Sequence, residues 1–133
     1  MLPSPQDILK NTKTLAIVGI SNKPERASYQ VAAYLQAAGY QIFPINPGLR
    51  EVLGLTCYPS LSALPGPVDL VNVFRKAEDC LPIAEEAAKI GAKALWLQLG
   101  ISNTECQQLA EKQGMAYVEN KCTKIEHAQL NQS

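Results

Sequence analysis

The stretch Thr14-Leu15-Ala16-Ile17-Val18-Gly19, with the loop Ile20-Ser21-Asn22-Lys23-Pro24-Glu25-Arg26-Ala27 and the segment Ser28 to Ala38 behind it, decides the fold of this chain. A short uncharged run that stops at a glycine has the length and composition of a strand buried on both faces. From Ser28 onward the apolar residues Val31, Tyr34, Leu35 and Ala38 recur at i, i+3, i+4 and i+7, and Gly39 supplies a helix stop. Strand, polar loop and helix in that order form the first half of a βαβ unit.

The same order repeats on either side of a less regular middle. Upstream, Ser4 before Pro5 marks a helix over Pro5–Asn11. Downstream, strands are predicted at Gln41–Ile45, Asp69–Phe74, Ala94–Leu99 and Ala116–Glu119, the first of them weakened by Pro44, which lacks a donor. Helices are predicted at Ala77–Ile90 and Asn103–Gln113, stopped by Gly91 and Gly114, with a terminal helix over Thr123–Leu130. Residues 46–67, rich in proline, glycine and leucine, read as a long crossover with one short helix at Ser60–Leu64. Alternating strands and helices imply right-handed crossovers and a covered parallel sheet. The expected fold is α/β, a Rossmann-like doubly wound five-stranded parallel sheet of order 3-2-1-4-5, in one domain spanning residues 1–133. In such a sheet ligands bind outside the carboxyl ends of the strands, at the switch point, here expected between the first and fourth strands.

Composition narrows the classes of partner. Twelve basic and twelve acidic residues give zero net charge, which argues against general affinity for nucleic acid or an anionic membrane. No basic, apolar leader is visible at Met1-Leu2-Pro3-Ser4-Pro5, and the apolar runs are strand-length. Cysteines at 57, 80, 106 and 122 show neither zinc spacing nor a disulfide framework, so a reducing, cytoplasmic setting is expected. The apolar helix face Val31, Tyr34, Leu35 and Ala38 is compatible with a homo-oligomer.

The residues that leave each strand carry the candidate chemistry. After the first strand, Gly19 permits a sharp turn and Ile20 leads to the Ser21 hydroxyl. Lys23 and Arg26 add charge, and the helix starting near Ala27 or Ser28 points its free N–H groups to the same place: a phosphate cradle. The dinucleotide fingerprint G-x-G-x-x-G is absent, with Ser21 and Pro24 at its second and third glycines. The second strand ends in Asn46-Pro47-Gly48 with no acid for a ribose, so NAD is disfavoured. Asn46 and Pro47 form either a border for an adenine ribose or a plain turn. Phe74-Arg75-Lys76 suits a phosphate and a base, or is surface charge. Gln98 and Gly100 leave the fourth strand with an amide and a turn. Five of the twelve basic residues (Lys23, Arg26, Arg50, Arg75 and Lys76) leave the first three strands, which suggests a small polyanion. Cys122 follows the fifth strand, as a buried small residue or a thiol near the ligand. His127, in a polar terminal segment, is expected to be a surface residue. No GxSxG setting or carboxylate pair stands at a strand end.

Taken together, Ala16-Ile17-Val18-Gly19-Ile20-Ser21, Lys23-Pro24, Arg26, Ser28-Tyr29, Pro44-Ile45-Asn46-Pro47, Val68 to Arg75, Leu95 to Gly100 and Lys121-Cys122 resemble the small stand-alone CoA-binding proteins of the YccU-like group. The chain also resembles the nucleotide-binding first domain of the succinyl-CoA synthetase α subunit. The resemblance implies coenzyme A as the cofactor, with Gly19, Ile20, Ser21, Lys23, Arg26 and Ser28 around its phosphates. It implies Asn46 and Pro47 beside the adenosine, Phe74, Arg75 and Lys76 along the ligand, and Gln98 and Gly100 near the pantetheine end. The synthetase relies on a phosphorylated histidine from a further domain, so binding carries over and catalysis does not. The expected role is a non-catalytic carrier, sensor or regulator that binds CoA or an acyl-CoA. The alternatives are a redox or thiol-transfer enzyme using Cys122 and an NAD(P)-binding oxidoreductase.

Overall fold

The computed structural model describes residues 3–132, with side chains through Leu130. The elements follow as α1 (Pro5–Lys10), β1 (Thr14–Val18), α2 (Ala27–Ala37), β2 (Gln41–Ile45), β3 (Glu51–Val52), β4 (Leu55–Thr56), β5 (Leu70–Val73), α3 (Cys80–Lys89), β6 (Ala94–Leu97), α4 (Thr104–Gln113), β7 (Ala116–Val118) and α5 (Thr123–Ala128). Local chemistry sets many of their ends. Ser4 Oγ accepts from Asp7 N (3.1 Å) while the Asp7 carboxylate accepts from Ser4 N (3.2 Å), a reciprocal cap that starts α1. Asn103 Oδ1 accepts from Cys106 N (3.0 Å) to start α4, and Gly114, at φ 75°, ends it.

Five parallel strands form the central sheet, in the order β2-β1-β5-β6-β7. Strands β1, β5 and β6 alternate their side chains between two apolar layers. Leu15, Ile17, Leu70 and Trp96 face a layer shared with α1 and α2, and Ala16, Val18, Val71, Val73, Leu95 and Leu97 face one shared with α3 and α4. Burial on both faces is why these strands read as nearly continuous apolar runs, interrupted in β5 only by the buried Asn72. The fold is doubly wound and Rossmann-like.

The strand order corrects the one expected from sequence. Counting only the strands of this sheet, it is 2-1-3-4-5 and not 3-2-1-4-5: β5 pairs directly with β1, Leu15 beside Leu70 and Val18 beside Val73. The physical reason lies in Pro44. Its carbonyl accepts from Tyr58 N (2.9 Å) on the outer side of β2, and Tyr58 O accepts from Asn46 N (2.9 Å). The missing Pro44 N–H faces the same outer side, where an interior strand would require a donor. A proline is tolerated there because β2 is an edge. The crossover itself, at Tyr58, occupies the place expected for the third strand.

The crossover also contains an antiparallel hairpin, β3 against β4, where no strand was expected. Leu53 and Gly54 turn it at φ 55° and φ 73°. Two consecutive positive φ values make the tight hairpin turn, but leucine rarely takes that conformation, so the signal was hidden. The remaining elements agree with expectation within a residue or two. The exception in kind is the start of the helix expected at Ala77, where a 3₁₀ turn over Ala77–Asp79 precedes α3. Among the described residues no helix is long and apolar enough to cross a membrane.

Candidate functional site

With β5 next to β1, the switch point falls between these two strands, not between the first and fourth. The chain turns there at Gly19, φ 85°, whose N–H donates to Ile45 O (2.9 Å). A Cβ at this position would stand 2.5 Å from Phe74 O and 2.9 Å from Arg75 Cδ. Only glycine fits, because both the backbone conformation and the closeness of β5 forbid a side chain.

Beyond Gly19 the loop is held by its own hydroxyls. Ser28 Oγ, on a residue in the first turn of α2, accepts from Ser21 N (3.0 Å), and Ser21 Oγ accepts from Lys23 N (3.0 Å). Asn46 ties the next loop to this one: its Nδ2 donates to Ile20 O (2.7 Å) and its Oδ1 accepts from Gly48 N (2.8 Å). Arg26 stands at the N-cap of α2 and makes no side-chain cap hydrogen bond, so first-turn N–H groups of the helix are left for another acceptor. Lys23 and Arg26 are exposed beside them.

These elements enclose a crevice of about 410 Å³, lined by Gly19, Ile20, Ser21, Lys23, Arg26, Ser28, Asn46 and Phe74 together with Asn22, Ala27 and Leu49. Eight of the residues singled out from the sequence thus meet in one place. Pro47, Arg75, Lys76, Gln98 and Gly100 do not line it. Arg75 lies at its margin, beside Gly19, and forms an ion pair with Asp79 at 3.5 Å. Lys76 is exposed, and its carbonyl accepts from the Cys80 thiol (3.3 Å). Gly100 turns the chain at φ 87°, its N–H donating to Asn120 Oδ1 (2.7 Å). Gln98 is buried, with Oε1 accepting from Asn72 Nδ2 (3.1 Å) and Thr123 N (3.4 Å). Thr123 and Leu49 gave no signal in the sequence as site residues, and Asn72 gave only its polarity. An asparagine inside the apolar run of β5 was the one visible clue.

The donor set suits a multiply charged anion: helix N–H groups, a lysine and an arginine, with no carboxylate among the lining residues. Three of the four thiols are poor nucleophiles. Burial pushes Cys57, Cys80 and Cys106 up, the last to about 12 with help from nearby Cys80 and Glu105. Cys122 is half-buried at the N-cap of α5. His127 departs from the surface role expected of it. Its Nδ1 lies 2.9 Å from Tyr34 Oη, and its ring meets Tyr34 and Tyr40 edge-on, so it packs α5 against α2 and the start of β2.

Comparison with known proteins finds relatives in sequence and in fold. The uncharacterized protein YneT of Bacillus subtilis is 39% identical over 123 residues, 92% of this chain and 91% of that one. The α subunit of the ADP-forming acetate–CoA ligase II of Pyrococcus furiosus is 28% identical over 94% of this chain, which spans only 30% of that subunit. Among solved structures, a hypothetical protein from Pyrococcus horikoshii superposes with a TM-score of 0.91 at 37% identity, covering 98% of this chain and 97% of that one. A family model described as a CoA binding domain matches residues 13–128. With its switch-point crevice and that match over nearly its whole length, the chain belongs to the CoA binding domain family.

Proposed function

We propose that this protein binds coenzyme A or an acyl-CoA along the carboxyl edge of its sheet and acts as a non-catalytic carrier, sensor or regulator. In this reading the phosphates rest over Gly19, Ile20 and Ser21 and against the start of α2 at Ser28, neutralised by Lys23 and Arg26. Asn46 and Pro47 border the adenosine, Phe74, Arg75 and Lys76 follow the ligand, and Gln98 and Gly100 stand toward the pantetheine end. The observation that supports it most is the uncapped N-terminus of α2 opening, beside two cations, into the crevice behind Gly19. Bound there, the cofactor would supply a thiol or thioester, while the chain's own groups bind and orient it.

The β2 end weighs against NAD. Asn46 stands where a ribose-binding acid is needed, and its carboxamide is engaged with Ile20 and Gly48. Because the chain spans less than a third of the ligase subunit it resembles, only binding is carried over from that likeness. Calorimetric titration with CoA, dephospho-CoA and NAD tests the proposal. CoA should bind in preference to NAD; equal affinity for the two would refute it.

A further inference from the structure

Asn72 sits in the middle of β5, fully shielded from solvent. Its Nδ2 donates to Trp96 O (3.3 Å) and to Gln98 Oε1 (3.1 Å), and its Oδ1 accepts from Thr123 Oγ1 (3.0 Å). Gln98 Oε1 also accepts from Thr123 N (3.4 Å). Main-chain atoms set the direction of this relay at both ends. The Trp96 carbonyl can only accept, so Asn72 must turn its NH₂ toward it. The Thr123 N–H can only donate, so Gln98 must turn its oxygen inward. Reversing Asn72 would set its oxygen against the Trp96 and Gln98 oxygens, and reversing Gln98 would set its NH₂ against the Asn72 and Thr123 donors; either costs more than the relay's hydrogen bonds contribute.

The consequence falls on the other end of Gln98. The residue is 6% exposed, and its Nε2 makes no hydrogen bond among the described residues. Yet among those residues no side-chain nitrogen or oxygen sealed from solvent lacks a partner. The amide nitrogen therefore reaches the surface, carried there by a side chain that is otherwise buried. Gln98 is the first residue beyond β6, two strands from β1 in the sheet. At the usual strand spacing that is about 10 Å from the Gly19 end, within reach of an extended ligand but outside the crevice itself.

We infer that Gln98 is a donor-only contact for a carbonyl-type oxygen on the arm of the bound ligand, and that Asn72 and Thr123 are positioning residues that hold it in that polarity. The inference rests on the CoA reading above and names the group recognised: an amide or thioester carbonyl, which accepts and carries no charge. A carboxamide free to turn would serve donors and acceptors alike, whereas one locked from behind serves acceptors alone.

Two ligands separate the outcomes: CoA, whose arm bears carbonyls, and adenosine 3′,5′-bisphosphate, which lacks the arm. In the wild-type protein the Gln98 side-chain NH₂ signals, followed by nitrogen–proton correlation spectra, should shift with CoA and stay with the bisphosphate. Gln98→Glu keeps the inward oxygen and replaces the outward donor. It should weaken CoA about tenfold and leave the bisphosphate unchanged. Thr123→Val should give a smaller loss, again for CoA only, and Thr123→Ser should restore binding. If both ligands bind but the Gln98 signals ignore CoA, or if Gln98→Glu weakens both ligands equally, the inference is wrong and the CoA reading stands. If the wild type binds neither ligand, both fall. Should Gln98→Glu not fold, the wild-type spectra decide alone.

Discussion

At the amino ends of β1 and β5, the Asp69 carboxylate accepts from Lys13 N (2.9 Å) and Thr14 N (3.2 Å), Asp69 N donates to Thr14 Oγ1 (2.9 Å), and Lys93 stands 3.5 Å from the carboxylate. At the carboxyl ends of the same two strands, Gly19 presses against Phe74, α2 begins without a side-chain cap, and Lys23 and Arg26 extend into solvent. One end closes its hydrogen bonds on itself; the other leaves donors and positive charge open around a crevice. The difference separates what holds the sheet together from what the sheet offers to a ligand. Water solvates these exposed donors and charges, so leaving them free costs little, and an anionic ligand can take the water's place.

The comparison is most exposed at Gly19, where the two roles meet. Gly19→Ala would drive a Cβ into Phe74 O and hold alanine at positive φ. We expect a loss of about 3 kcal/mol in denaturant unfolding together with loss of CoA binding. A stable, binding-competent variant would show that the close approach of β5 to β1 is dispensable.

The closed end should behave oppositely, with stability lost and binding kept. Asp69→Asn removes the charge that accepts two backbone N–H groups, and should cost about 2 kcal/mol without changing CoA affinity. Partial burial by itself would raise the Asp69 carboxyl, but the N–H groups of Lys13 and Thr14, aided by Lys93, hold it below its ordinary value. A carboxyl lowered by folding stabilises the protein above its unfolded-state value, and that contribution disappears as pH falls through the folded-state value. The gap between wild type and Asp69→Asn should therefore be full at neutral pH. It should shrink as acid unfolding is followed below the ordinary carboxylate range.

At the open end, Lys23→Ala and Arg26→Ala should each weaken CoA roughly tenfold, about 1.4 kcal/mol, by removing a charge-assisted contact. They should also flatten the salt dependence of binding and leave thermal unfolding unchanged. The smallest effect is expected at Lys93→Ala. The lysine side chain is 78% exposed, so its pairing with Asp69 is screened by water and its loss should change stability by less than about 0.5 kcal/mol. A larger loss would mean that the amino end is held by the ion pair and not by the hydrogen bonds to the backbone.

Much of the open end was legible in the sequence because its parts are local. Gly19, Ser21, Lys23, Arg26 and Ser28 fall within ten residues, between a strand and a helix whose periods are plain. Asn46 and Phe74 could be placed there because each follows its own strand. The relay of Asn72, Gln98 and Thr123 was not legible. Its hydrogen bonds join residues from 25 to 51 positions apart, and no spacing rule announces such a contact. His127 was misjudged for the same reason: its neighbours in sequence are polar, while Tyr34 and Tyr40, which cover it, come from the other end of the chain.

Strand order marks where sequence stopped and tertiary structure took over. Apolar periods, glycine stops and helix caps act within a few residues, so the alternation of strands and helices, and the residues that leave each strand, followed from the sequence alone. Which strand lies beside β1 depends on how a crossover of more than twenty residues packs, and only the folded chain settles that. Pro44 carried the one local hint, since a strand lacking that donor belongs at an edge. The direction in which Gln98 turns its amide was decided by tertiary structure too, because it depends on a carbonyl and an N–H that folding alone brings within hydrogen-bond reach.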